Sequence, residues 1–228
     1  MDKFLSWMLP SGASSFTSEI DWLYYLILVV TGIAFFVVEI ALVVFLIRYR
    51  TRPGRKAVYL HGSTRAEVIW TTVTALVVVV IGVLSAPAWD RIKGRNGPPP
   101  DAMPLGIAAK QFEWNVTYPG ADGKIGTTDD YTVRGQLHVP VDKPVVATLT
   151  SEDAIHSFFV PAFRIKQDAV PGMHIRVWFK ATKPGQYELG CAELCGLGHY
   201  RMRALVTVHT QEDYDRWTAQ QSRSVAQR

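Results

Sequence analysis

Cysteine is nearly absent from this chain: there are two in 228 residues, Cys191 and Cys195. A single pair so close together cannot staple a small disulfide scaffold, and it lacks the Cys-x-x-Cys-His spacing that attaches a c-type haem. Charge is also scarce. Before Asp90 two long runs carry almost none, and the segment Arg48–Arg65 has no acid beside Arg48, Arg50, Arg52, Arg55, Lys56 and Arg65. From Asp90 onward the chain has 17 basic against 15 acidic residues, so the net charge of +4 describes no basic face for nucleic acid. Membrane topology accounts better for the one cationic cluster. Internal repeats and low-complexity segments are absent too.

What the sequence has in quantity is apolar length. Leu23–Ile47 contains Glu39 as its one charged residue, and Val68–Pro87 contains none. About 25 residues of helix rise about 37 Å, enough for a hydrocarbon core of about 30 Å. The second run is rich in Val and Thr, but an open strand of that length has no place in lipid, so a helix is expected. A cleaved signal peptide is the competing reading of the first run. The run is too long for one and follows a mostly polar segment rather than a short basic one. Two spans place both termini on one side. The cationic Arg48–Arg65 loop, set against Lys3, Arg91, Lys93 and Arg95 on the flanks, points inward. Trp22, Tyr24, Tyr25 and Trp89 suit one interface, Tyr49 and Trp70 the other. Glu39, an acid within a span, reads either as a residue facing a partner helix or as a proton relay. Glu67, in Glu67-Val-Ile-Trp70, is favoured at a helix N-terminus by the macrodipole alone.

Past a Pro/Gly-rich linker the pattern changes to short β-type runs: Leu105–Lys110, Glu113–Tyr118, Gln136–Val139, Val145–Thr150, Ile175–Ala181, Gln186–Leu189 and Ala204–Val208. Turn signals such as Pro171-Gly172 and Lys183-Pro184-Gly185 separate them, which predicts a β-sandwich or Greek-key barrel. Asp122–Asp130 lacks the full spacing of a calcium loop and reads as a solvated hairpin. Thr210 is placed to cap a short helix over Tyr214–Gln221.

The chemistry concentrates in Gly190-Cys-Ala-Glu-Leu-Cys-Gly-Leu-Gly-His-Tyr-Arg-Met202. Cys191, Cys195, His199 and Met202 fall at helical spacing, yet Gly190, Gly196 and Gly198 would each cost about 1 kcal/mol in a helix. A tight loop between two strands is expected instead. Thiolate and thioether are soft donors and imidazole is intermediate, so copper suits the set. A structural zinc has little use for Met202, and a Cys191–Cys195 disulfide leaves His199 and Met202 unexplained. A mononuclear blue-copper site needs only one Cys, so the second thiolate suits two bridged metals. The second imidazole must come from elsewhere. His61 lies in the inner loop, His138 and His209 lie within strands, and His174 follows a turn. His156, after a strand and before an apolar segment, is the favoured candidate.

Glu152-Asp-Ala-Ile-His-Ser-Phe-Phe-Val-Pro161, Lys166-Gln-Asp-Ala-Val-Pro-Gly172 and the Cys191–Met202 segment resemble subunit II of haem–copper cytochrome c oxidases, and the two-span anchor extends the likeness over nearly the whole chain. The resemblance implies a two-helix transmembrane hairpin, then an all-β cupredoxin-like Greek-key domain with a short C-terminal helix. The corresponding divisions are an outer N-terminal segment at 1–21, the hairpin at 22–87, a linker at 88–103, a copper A domain at 104–210, and a helix and tail at 211–228. It further implies a binuclear copper A centre bridged by Cys191 and Cys195. His156 and His199 would bind one copper each, with Met202 and the Glu193 carbonyl as weak axial ligands and the Glu193 carboxylate on a magnesium at the subunit I boundary. Glu67 matches the acid at the entrance of a proton pathway. The implied setting is a bacterial-type inner membrane, with both termini and the copper domain on the periplasmic side. The implied partners are subunits I and III, membrane lipid, and cytochrome c or another cytochrome-bearing donor.

One departure stands out. The family's aromatic segment usually begins Gln-Trp-x-Trp, its first Trp receiving the electron, whereas this chain has Gln111-Phe112-Glu113-Trp114. Phe112 and Trp114 are therefore either packing residues or the entry route of a donor that docks differently. A copper A subunit of a nitric oxide reductase and a membrane-tethered copper-binding protein are the competing functions.

Overall fold

The computed structural model describes residues 8–94 and 97–226. Lys3 and Arg95, two of the flanking cations used for orientation, and the last two residues of the tail lie outside the described residues. The chain divides into two compact units: residues 19–89, and residues 1–18 together with 90–228.

The first unit is helical. Helix α1 runs Thr17–Arg48 over 32 residues, beginning well before the apolar run at Leu23. Helix α2 runs Thr64–Ile92 over 29 residues and continues past Pro87. Both are long and apolar enough to cross a membrane. Hydroxyls within the spans are turned back on the backbone, as apolar surroundings require: Thr31 Oγ1 donates to the Ile27 carbonyl at 2.8 Å and Thr74 Oγ1 to that of Trp70 at 2.8 Å. Ser63 caps α2 by accepting the Ala66 N–H at 3.3 Å.

The second unit is a β-sandwich. Among its described residues are β1 Met103–Lys110, β2 Glu113–Tyr118, β3 Tyr131–Arg134, β4 Gln136–Pro140 and β5 Pro144–Ser151, then β6 His156–Val160, β7 Ile165–Ala169, β8 Ile175–Lys180, β9 Gly185–Cys191 and β10 Arg203–His209. They form two five-stranded sheets, ordered β3-β2-β1-β5-β8 and β4-β10-β9-β6-β7. Each sheet has one parallel pairing, β1 with β5 and β4 with β10, and the rest are antiparallel. Alternation sends Leu105, Ile107 and Ala109 of β1 inward against Leu137, Val139, Val206 and Val208 of the facing sheet, all nearly inaccessible. Burying each large aliphatic contributes about 1.5–3 kcal/mol.

Three strands lie outside the sequence expectation: β3, β6 and β7. Two further elements complete the unit. Residues before α1 add to it: the Ala13 N–H donates to the Ala162 carbonyl at 2.8 Å, Ser14 Oγ donates to the Phe163 carbonyl at 2.7 Å, and Phe16 packs edge-on to Trp178 with centroids 4.7 Å apart. Helix α3, Gln211–Ala226, starts at a cap in which Thr210 Oγ1 accepts the Asp213 N–H at 3.2 Å. Tyr118 and Tyr131 are joined across the β2–β3 hairpin by pairing, and Asp122–Asp130 forms its solvated tip.

Candidate metal centre

β6 brings in one imidazole and the β9–β10 connection brings the rest. β9 ends on Cys191, the chain loops through Cys195, and a 3-10 turn over His199–Arg201 delivers Met202 to the start of β10. Gly196 lies at φ +130, a backbone conformation that glycine alone adopts without strain. The helix suggested by the spacing of the donors does not form.

The side chains converge. The Cys191 and Cys195 Sγ atoms lie 3.8 Å apart, with neither cysteine in a disulfide. His156 Nδ1 is 3.8 Å from Cys191 Sγ, and His199 Nδ1 is 3.6 Å from Cys195 Sγ. Met202 Sδ lies 3.8 Å from Cys195 Sγ, and the Glu193 carbonyl lies 3.2 Å from Cys191 Sγ. The donor atoms of His156, Cys191 and Cys195 all fall within 4.8 Å of one another. His156, Cys195 and Met202 are buried, whereas the Glu193 side chain is exposed. Burial, and then the hydrogen bond with Cys191, push the Cys195 thiol up to about 11.

Asp153, Gln111 and Phe112 frame these donors. Asp153 Oδ1 accepts from His156 Nε2–H at 2.8 Å, which fixes the tautomer and leaves the Nδ1 lone pair facing the sulfurs. Burial raises the Asp153 carboxyl, but the hydrogen bonds from His156 and from the Gln111 and Ala154 N–H groups outweigh it and hold the carboxyl below its usual range. Asp153 has no role assignable from composition or donor type alone. Its position three residues before a candidate ligand His was the available signal, because metal-binding imidazoles usually hydrogen-bond a carboxylate on their far side.

Phe112 packs on the loop glycines, and Trp114 lies buried with its ring 6.2 Å from that of His156, centroid to centroid. Trp114 Nε1 has no partner among the described residues. Glu67 stands in the first turn of α2, in the helical unit. His61 and His174 are exposed elsewhere. His138 and His209 meet each other instead, Nδ1 to Nε2 at 2.8 Å, beneath Trp217 of α3.

The architecture defines the class first: a membrane-anchored, cupredoxin-like β-sandwich with a soft-donor loop between its last two strands. The family model described as cytochrome c oxidase subunit II, periplasmic domain, matches residues 111–209, and the one described as its transmembrane domain matches residues 3–87. The chain belongs to the cytochrome c oxidase subunit II family, and is thereby a membrane protein and a subunit of a haem–copper oxidase. It is 33% identical to cytochrome c oxidase subunit 2 of Thermostichus vulcanus, over 93% of this chain and 78% of that one. It is 32% identical to the alternative cytochrome c oxidase subunit 2 of Bradyrhizobium diazoefficiens, over 84% of this chain and 76% of that one. The crystal structure of the periplasmic domain of subunit II from Bradyrhizobium japonicum superposes with TM-score 0.48 at 30% identity, over 54% of this chain and 96% of that one.

Proposed function

We propose that this chain is the electron-entry subunit of its oxidase, holding a binuclear copper A centre that takes electrons from cytochrome c or a related donor and passes them to the haem of subunit I. The observation that carries this reading is the donor set. Two thiols stand side by side, each with its own imidazole on the outer flank, and a thioether and a peptide carbonyl close the ends. That arrangement suits a pair of soft metals sharing two sulfurs and suits a single zinc poorly.

In this reading Cys191, Cys195, His156 and His199 would hold the two coppers, and Met202 and the Glu193 carbonyl would add weaker donors. A bound copper pair supplies a one-electron carrier. The chain's residues hold the ligands, exclude water from His156 and Cys195, and present the exposed Glu193 carboxylate to a magnesium at the subunit I boundary. Phe112 and Trp114 form the electron-entry side, and Glu67 stands at a proton-pathway entrance linked to proton pumping. Subunit III and membrane lipid complete the surroundings.

Orientation has support from the fold. The segment around Ala13–Phe16 and the β-sandwich form one unit, so they share one face of the membrane. The cationic Arg48–Arg65 loop then faces inward, and the β-sandwich and both termini face the periplasm.

The test is spectroscopic. The full chain, purified in detergent and loaded with copper, is expected to bind two coppers and give a mixed-valence paramagnetic signal split by two equivalent nuclei. A single-copper spectrum, or preferential retention of zinc, would sink the reading.

A further inference from the structure

The two ligand-bearing segments come from distant parts of the chain, β6 and the β9–β10 loop, and a third segment ties them together. Gln111 lies in the turn between β1 and β2. Its backbone N–H donates to Asp153 Oδ2 at 2.7 Å, while Asp153 Oδ1 holds His156 Nε2 at 2.8 Å. Its side-chain Nε2 donates to the Cys195 carbonyl at 2.6 Å. One residue thus bonds to the carboxylate that orients an imidazole and to the backbone of a bridging cysteine. The clamp is extended on both sides. The Glu152 N–H donates to the Ala109 carbonyl at 3.0 Å, fastening the residue before Asp153 to the end of β1. Phe112 lays its ring on the loop: a Cβ at Gly198 would fall 2.4 Å from Phe112 Cδ2, and one at Gly196 would fall 2.8 Å from Gln111 Nε2.

The geometry points to Gln111 as a positioning residue that locks the His156 side and the Cys195 side of the centre into one register before metal arrives; this rests on the copper reading above. The loop needs such a lock. Gly196 and Gly198 let it fold tightly but give it the conformational freedom that glycine carries. A carbonyl can only accept a hydrogen bond, so the Gln111 amide must present its nitrogen, and an oxygen without a proton cannot take its place. Ligands held in place by outer hydrogen bonds bind more tightly than ligands that must be ordered on binding, typically by 10- to 100-fold.

The experiment uses the full chain in detergent with two variants: Gln111→Met, which removes the amide without adding charge, and Gln111→Glu, which keeps the shape but replaces the donor by a charged acceptor. Copper content, the paramagnetic spectrum and the rate of extraction by a copper(I) chelator are measured, with thermal midpoints of loaded and metal-free protein. Both variants are expected to release copper about tenfold faster than the parent and to show an altered spectrum. Their metal-free midpoints should shift less than their loaded ones. A variant with the parent's spectrum and release rate, or equal destabilisation with and without copper, overturns the role of Gln111. A parent chain that takes up no copper overturns the functional reading and this one with it. A normally loaded parent with indifferent variants overturns only Gln111.

Discussion

At the scale of single residues, the centre depends on small groups beside the donors. Gly198 is where the ligand loop passes under Phe112, and there is no space for a methyl group. Gly198→Ala must therefore push either the ring or the loop aside. The expected cost is about 1–3 kcal/mol of domain stability, the usual range for overpacking. Chemical denaturation of the metal-free protein checks it, and an unchanged midpoint would show that the contact gives way freely. Asp153 acts through chemistry instead. Removing its carboxylate by Asp153→Ala leaves His156 Nε2 without its 2.8 Å acceptor and frees the ring to turn. Copper affinity should fall about 10- to 100-fold in chelator competition. Undiminished affinity would mean that burial alone orients His156. Four of the proposed donors stand out in the sequence because they crowd into one short segment, and their softness suits copper. His156 was only one candidate among several until the resemblance added its motif. Gln111 was not legible as a clamp, because a hydrogen bond to the carbonyl of Cys195 leaves no trace in spacing or composition.

At the scale of elements, the C-terminal helix is held by aromatic and imidazole contacts rather than by an aliphatic seam. Trp217 stacks on His138 with centroids 4.3 Å apart and meets Tyr118 at 5.0 Å. The His138 N–H donates to the Tyr118 hydroxyl at 2.6 Å, and His138 Nε2 pairs with Gln136 Oε1 at 3.0 Å. Burial, reinforced by the nearby His209, lowers His138 to about 4. Its folded value therefore lies below the ordinary 6.5, and the unfolded chain binds the extra proton between the two. The stabilising contribution is complete above pH 6.5 and is lost as the pH falls toward 4. The expected loss is on the order of 2 kcal/mol, reduced from the full linkage value for the ring edge that water still reaches. Denaturation midpoints across that range should show the decline, and His138→Gln should flatten it. A parallel decline in the variant would assign the effect elsewhere. The elements missed from sequence share a cause. β3 has four residues, β7 reads Ile-Lys-Gln-Asp-Ala with its three polar positions half-buried or exposed, and Ala13–Phe16 is a four-residue stretch with two serines just ahead of a membrane span. Each is ordered by the strands and loops beside it, and periodicity within so few residues carries no comparable signal. The spans were legible from unbroken apolar length, and the long strands β1 and β5 because burial alternates along them.

At the scale of the whole molecule, charge and exposure together bear on how a donor would reach the centre in the proposed function. From Asp90 onward basic and acidic residues nearly cancel, 17 against 15, so this part of the chain has no acidic excess to draw in a basic partner. The ligand loop instead presents Leu194, Leu197 and Tyr200, which are 79%, 98% and 85% exposed. Electrostatic steering raises association rates by 10- to 1000-fold and falls steeply with salt, whereas contact through apolar side chains does neither. For a donor that docks over this loop, the second-order rate of reduction should change less than about threefold between roughly 10 and 200 mM salt, a range in which the Debye length shrinks from about 30 Å to under 8 Å. Stopped-flow reduction of the copper-loaded full chain by candidate cytochromes measures this directly. A tenfold fall with salt would show that charge guides the encounter, and would place the docking face away from Leu197. Replacing Leu197 by Ser separates the two cases a second way: it should slow a donor that docks on the loop at every salt concentration, and leave a charge-steered donor that docks elsewhere at the parent's rate.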